Sequence, residues 1–298
     1  MTWLPEWRVT VGDDVYTTVT SVSYATGRLD IERQATAGYC KVEIINTDNS
    51  PFTINITEPV ALELKNSSGT YVKMFTGTVS DFNIGVRSPE ETGFITTGTI
   101  LGIGNLARLS KAIYNTALAT GTDGYQIGLI LDEALSLTWA EVTPTLTWAT
   151  YPATVTWEDA ETVLGEVDTG IFNVIAIPAS ATAKSQTLVD QIANSALGVI
   201  TETPDGLVNY YDAYHRYDYL LVNGYTNLLA NYATPSSIQA QTQISRLRNK
   251  IIYKYGTGYA TTLIVSDATS IATYGLFEKS IESNISNQPD MATLGNQQ

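Results

Sequence analysis

The sequence predicts an α+β protein, mainly β: a β-barrel-like N-terminal domain, central α+β insertion domains, and a return to β structure near the C-terminus. Three observations carry this. Apolar and polar side chains alternate through most of the first third, the period of strands with one buried face. The period becomes helical after Gly104. Alternation returns where Ile251, Tyr253 and Tyr255 interleave with Lys250, Ile252 and Lys254. At 298 residues, 44% hydrophobic and 15% charged, the chain has a folded composition and length for two or three domains.

The N-terminal strands come first. Val9 and Val11 alternate before a Gly12-Asp13-Asp14 turn; Arg28 to Ile31 and Cys40 to Ile45 read as further strands, and Asn46 to Pro51 as a loop. Val60, Leu62 and Leu64 alternate with Ala61, Glu63 and Lys65, and Asn66-Ser67-Ser68-Gly69 supplies a turn. The following strand slips parity near Phe75-Thr76-Gly77, which predicts a bulge or a close backbone approach at the glycine. Short strands with regular turns point to a barrel or sandwich over 1–104.

The second segment, 105–180, is a helical and α+β insertion. Leu106, Leu109 and Ile113 share one helix face, and Gly121 to Gly124 breaks that helix with Asp123 as the next N-cap. Ile127, Ile130, Leu131, Ala134 and Leu135 give the clearest amphipathic pattern in the chain. A repeat follows: Leu137-Thr138-Trp139, Leu146-Thr147-Trp148 and Val155-Thr156-Trp157. Trp139, Trp148 and Trp157 could form an aromatic strip for a glycan or partner, or pack on their own β-rich elaboration. Ile171 to Ile177 reads as a strand.

A small α+β unit occupies 181–240. Ser185 is a candidate cap for a helix through Leu188, Ile192 and Ala196, stopped by Gly198. Val199–Thr203 and Leu207–Tyr211 form a hairpin about Pro204-Asp205-Gly206. Residues 241–298 hold a second β segment, a helix over Ser266 to Tyr274 ended by Gly275, and a final stretch without apolar period that reads as a tail.

Net charge is −14, with the acids scattered, which disfavours specific DNA or anionic-membrane binding. The lone cysteine, Cys40, excludes an intrachain disulfide and shares an apolar strand face with Val42 and Ile44, as a small hydrophobe does. The N-terminus lacks a signal-peptide pattern, and no apolar run is long enough to span a membrane, so a cytoplasmically made, soluble chain is expected.

Chemistry-bearing residues are sparse. The single histidine, His215, is spaced by three from Asp212 and Asp218; the three could gather a cation, or mark a strand end entering a polar loop. Gly102-Ile103-Gly104 lacks the rest of a phosphate-binding turn, and there is no G-x-S-x-G. Glu158, Asp159 and Glu161 suit a helix start rather than a glycosidase pair. Arg246, Arg248 and Lys250 are the densest basic group and could meet an acidic partner. No catalytic set, cofactor site or metal site is assigned.

The order of elements resembles the tail-tip (baseplate) hub proteins of long-tailed bacteriophages, the minor tail proteins. The carrying motifs are Asn46-Thr47-Asp48-Asn49, the Val60 to Leu64 strand, Met74 to Asp81, Ile127 to Leu135 and Glu166 to Gly170. Pro204 to Val208, His215-Arg216, Leu247 to Ile251 and Ser270 to Gly275 complete the set. The resemblance implies two tube domains, 1–104 and 241–298, flanking the insertions, and a homotrimeric, non-enzymatic virion protein at the tail tip. It implies as partners a distal tail protein ring, a tape-measure protein and tip or fibre proteins, with DNA passing through an acidic channel unbound. A β-rich adhesin or glycan-binding module is the competing expectation. A peptidoglycan hydrolase is disfavoured by the single histidine and missing motifs.

Overall fold

A computed structural model of the chain describes residues 5–28, 33–46, 51–87, 95–135, 163–225 and 247–295. Mainly β, it contains four sheets among the described residues.

The largest sheet is built by β1 (Trp7–Val11), β2 (Asp14–Tyr16), β3 (Val19–Ala25), β4 (Tyr39–Asn46), β5 (Pro59–Lys65), β6 (Tyr71–Arg87) and β7 (Ile95–Ile103). All pairs are antiparallel, in the order β2-β1-β5-β6-β7-β4-β3. The predicted alternation places Val9, Val11, Val42, Ile44, Val60, Leu62 and Ile100 in one core. The barrel-like form is a curled open sheet: β2 and β3 do not pair, but Trp7 on β1 meets Tyr24 on β3 edge to face, ring centroids 6.0 Å apart.

The parity slip in β6 resolves into two register shifts. One leaves Met74 as an extra residue opposite Leu62–Glu63, the other leaves Ser80 extra opposite β7. The inward face thus passes from Phe75 and Val79 to Phe82, which stacks edge to face on Phe52. Between the bulges, Gly77 is the close approach: a Cβ there would lie 2.3 Å from the Ile103 carbonyl oxygen.

A second core gathers the helices and small sheets. Its elements are α1 (Leu106–Lys111), β8 (Gly121–Thr122), α2 (Asp123–Leu135), β9 (Leu164–Val167), β10 (Asn173–Val174) and α3 (Ser185–Ser195). After these come β11 (Val199–Glu202), β12 (Val208–Tyr211) and α4 (His215–Asn223). The chain ends in β13 (Lys250–Tyr255), β14 (Thr261–Ser266), α5 (Ala268–Tyr274), β15 (Glu278–Glu282) and α6 (Gln288–Gly295). In sheet β11-β12-β9, β9 runs parallel to β12; in β14-β13-β15, β15 runs parallel to β13. Ile127, Ile130, Leu131 and Leu135 of α2 are fully buried, as their spacing predicts, against Val189 and Ile192 of α3. Two turns follow their chemistry: Gly206 closes the Pro204-Asp205-Gly206 hairpin at φ 83°, and Asp267 caps α5 by accepting from the Ser270 amide at 3.0 Å.

Several expectations are corrected. Ile113 lies beyond α1, which ends at Lys111 because Ala112 turns extended; its neighbours bond the 183–185 segment instead (Tyr114 N to Ala183 O, 3.0 Å). Strand 171–177 shrinks to β10. Ser185 is the first residue of α3, not its cap, and its buried hydroxyl has no partner. The chain leaves α3 through Leu197 at φ 57°, and Gly198 serves a different end: its Cβ would lie 2.2 Å from the Tyr210 hydroxyl oxygen. The polar loop after Asp212 is instead helix α4. The expected tail is α6, anchored by buried Met291 and Leu294, with Asn287 Oδ1 accepting from the Asp290 amide at 2.9 Å. Arg28 lies outside any strand, and residues 29–31 of the strand expected there and most of the Asn46–Pro51 loop fall outside the described residues.

Candidate functional site

Asp123 opens α2 in full burial. Its carboxylate does not cap its own helix; Thr122 Oγ1 takes that role toward the Tyr125 amide, at 3.4 Å. Asp123 instead accepts from the amides of Ile171 (2.8 Å) and Phe172 (2.9 Å) and from the Tyr210 hydroxyl. Burial pushes its pKa up, and these hydrogen bonds partly offset that. Burial, with the Asp123 charge next, holds the Tyr210 phenol well above its ordinary value. Gly124 makes the packing possible: a Cβ there would stand 2.0 Å from the Asp168 carbonyl oxygen.

One step outward, Asp168 receives two groups from the β12–α4 junction. Its Oδ2 lies 3.0 Å from His215 Nδ1 and accepts the Asp212 amide at 2.9 Å. Asp212 Oδ1 accepts the amides of Tyr214 (2.9 Å) and His215 (3.0 Å), capping α4. The His215 ring packs on Tyr211, centroids 4.0 Å apart. Burial raises the Asp212 pKa, and the charges of Asp168 and Asp123 add to it. Of the three residues that spacing grouped, His215 and Asp212 meet here while Asp218 points out along α4; the partners that spacing missed are Asp168 and Glu166. Forty-odd intervening residues hide that pairing from any local pattern.

A third polar knot joins the two cores. Glu202 accepts from the Gly38 amide at 3.1 Å and from the Asn105 amide, and Asn105 donates to the Gly206 carbonyl at 2.7 Å. The Gly102-Ile103-Gly104 turn is therefore filled by the chain's own carboxylate, 2.2 Å from where a Gly104 Cβ would lie. Burial raises the Glu202 pKa while the amides of Gly38, Asn105 and Leu106 oppose that. Gln34 adds a clamp, donating to Asn194 (2.8 Å) and Gly198 (3.0 Å) and accepting from the Ile200 amide (3.0 Å).

Among the described residues, the hydrogen bonds of these carboxylates and of His215 run to one another, to Tyr210 and to backbone amides, and none runs to a serine, threonine or cysteine. The histidine faces a carboxylate, and the fully buried Cys40 thiol is pushed up to about 12 by desolvation. What the surface does offer is apolar area. No side chain of α4 is buried, and Tyr217, Tyr219, Leu221 and Val222 are exposed, Val222 by 85%. Ile84 and Val86 are likewise exposed on the far end of β6. Exposed apolar groups gathered on one element mark contact surfaces rather than reaction centres. Trp139, Trp148, Trp157, Glu158, Asp159, Glu161 and Arg246 lie outside the described residues. Among the described residues, no helix is long and apolar enough to cross a membrane.

The fold has solved counterparts. The chain is similar to the 43 kDa tail protein of prophage MuSo2 from Shewanella oneidensis, at TM-score 0.53 and 14% identity, over 98% of this chain and 76% of that one. It is similar to a tail protein from Neisseria meningitidis MC58, at TM-score 0.55 and 11% identity, over 98% of this chain and 75% of that one. No protein-family model matches the chain, and no curated protein matches it in sequence. The chain shares its fold with these tail proteins, in keeping with the resemblance that the ordered motifs carry.

Proposed function

We propose that the chain is a structural protein of a phage tail: a homotrimeric hub at the tail tip that joins the distal tail ring to tip and fibre proteins. The observation that carries this is the likeness to two solved tail proteins, one of them from a prophage, across 98% of the chain. Polar knots that brace rather than react, and apolar side chains left on α4 and β6, support assembly over catalysis. In this reading two β units per chain give six around a threefold axis, which matches a sixfold tube. A net charge of −14 keeps DNA from adhering to the channel wall. The tape-measure protein would end against the same ring.

Light scattering on a size-exclusion column, with negative-stain imaging of the peak, tests it. Threefold rings with a central hole, alone or with the distal tail protein, are expected. A chain that stays monomeric in both conditions overturns the hub.

A further inference from the structure

We propose that Glu166, Asp168 and His215 bind one divalent transition-metal ion. Each offers one ligand atom, and the three atoms lie within 4.8 Å of one another. Ligands about 2.0–2.2 Å from a shared ion stand roughly 3–3.6 Å apart; His215 Nδ1 and Asp168 Oδ2, 3.0 Å apart, already have that spacing, and the exposed Glu166 side chain would swing in to complete the set. Two converging elements supply them: the end of β9 with the residue after it, and the first turn of α4.

The donors are also held. Tyr211 packs against the imidazole, and Asp168 is fixed by the Asp212 amide. The Asp168 and His215 side chains are only 19% and 23% exposed, whereas Glu166 faces solvent, which gives an entry path. A cleft of about 510 Å³, lined by Thr122, Tyr125, Leu129, Asp132 and Asp168, opens beside them. Charge favours a cation there: the Asp212 carboxylate, whose residue bonds Asp168 through its amide, and the buried Asp123 carboxylate stand behind the donors. One imidazole with two carboxylates suits zinc, manganese or nickel rather than calcium, which gathers six or more oxygens. Bound there, the ion would staple β9 to the helix that carries the exposed tyrosines. Three protein ligands leave a position for water or for a partner's group.

The chain has one histidine, so its imidazole resonance needs no assignment. The untagged full-length chain, stripped with chelator, is titrated with zinc by calorimetry and by imidazole nitrogen NMR. One ion per chain is expected, with the His215 Nδ1 signal shifted. Glu166→Gln and Asp168→Asn should each weaken binding by about tenfold or more, and Asp218→Asn should not. Exposed Glu166 can be changed without loss of folding, so its variant keeps the test decisive. Absence of binding, binding that survives both ligand substitutions, or an unmoved His215 signal would each overturn the site.

Discussion

Replacing Tyr210 by Phe isolates one buried hydrogen bond in the second core. The ring stays, so no cavity opens; only the hydroxyl that donates to Asp123 is lost. Hydrogen bonds to charged groups contribute about 1.5–3 kcal/mol, so we expect a loss of about 2 kcal/mol at neutral pH. That corresponds to a fall of roughly 4–8 °C in Tm. The pH dependence sharpens the test. Burial raises Asp123 above its ordinary 3.8, and a raised carboxyl contributes stability below its unfolded pKa that is lost as pH rises through the folded one. Without the phenol the folded pKa climbs further, so the variant loses more over the same rise. The gap between variant and wild type should therefore widen from acid to neutral pH. Urea unfolding followed by circular dichroism at several pH values measures it. A loss under about 0.5 kcal/mol at neutral pH, or a gap that widens on acidification, would refute the argument.

Gly198→Ala should cost more than Tyr210→Phe, since its methyl would sit 2.2 Å from the Tyr210 hydroxyl oxygen and 2.6 Å from Cζ; the double variant should recover part of the loss in the same urea assay. Met291→Ala should destabilise by about 2–5 kcal/mol, a cost that a free tail residue would not show. Cys40 should react with a thiol reagent only as fast as the sheet unfolds, because the thiol is buried and pushed up to about 12. Val222→Glu on α4 should leave monomer stability within about 0.5 kcal/mol yet weaken assembly in light scattering.

The legible parts of the fold were those where one face of an element is buried. The strands through Val42 and Leu62, helix α2 and the Pro204-Asp205-Gly206 hairpin announce themselves through period or turn chemistry. Helix α4 buries nothing, so its short Tyr217, Leu220, Leu221 spacing marks no core; its signal was Asp212, which the spacing to His215 disguised as a ligand pair. In α6 the period is two residues long, Met291 and Leu294, too short to stand out, though Asn287 followed by Pro289 is helix-start chemistry. The Asp168–His215 contact and the use of Glu202 to fill the Gly104 turn depend on chain crossings that only the folded topology provides.

Trp7 against Tyr24 has a mechanical consequence. Where β1 meets β3 the sheet is held by an edge-to-face ring contact, about 0.5–1.5 kcal/mol, and not by a ladder of amide bonds. Such a seam is the weakest line around the sheet. Load applied across it can part the two strands while every strand keeps its hydrogen-bonded neighbour, so the N-terminal unit can change its girth without unravelling.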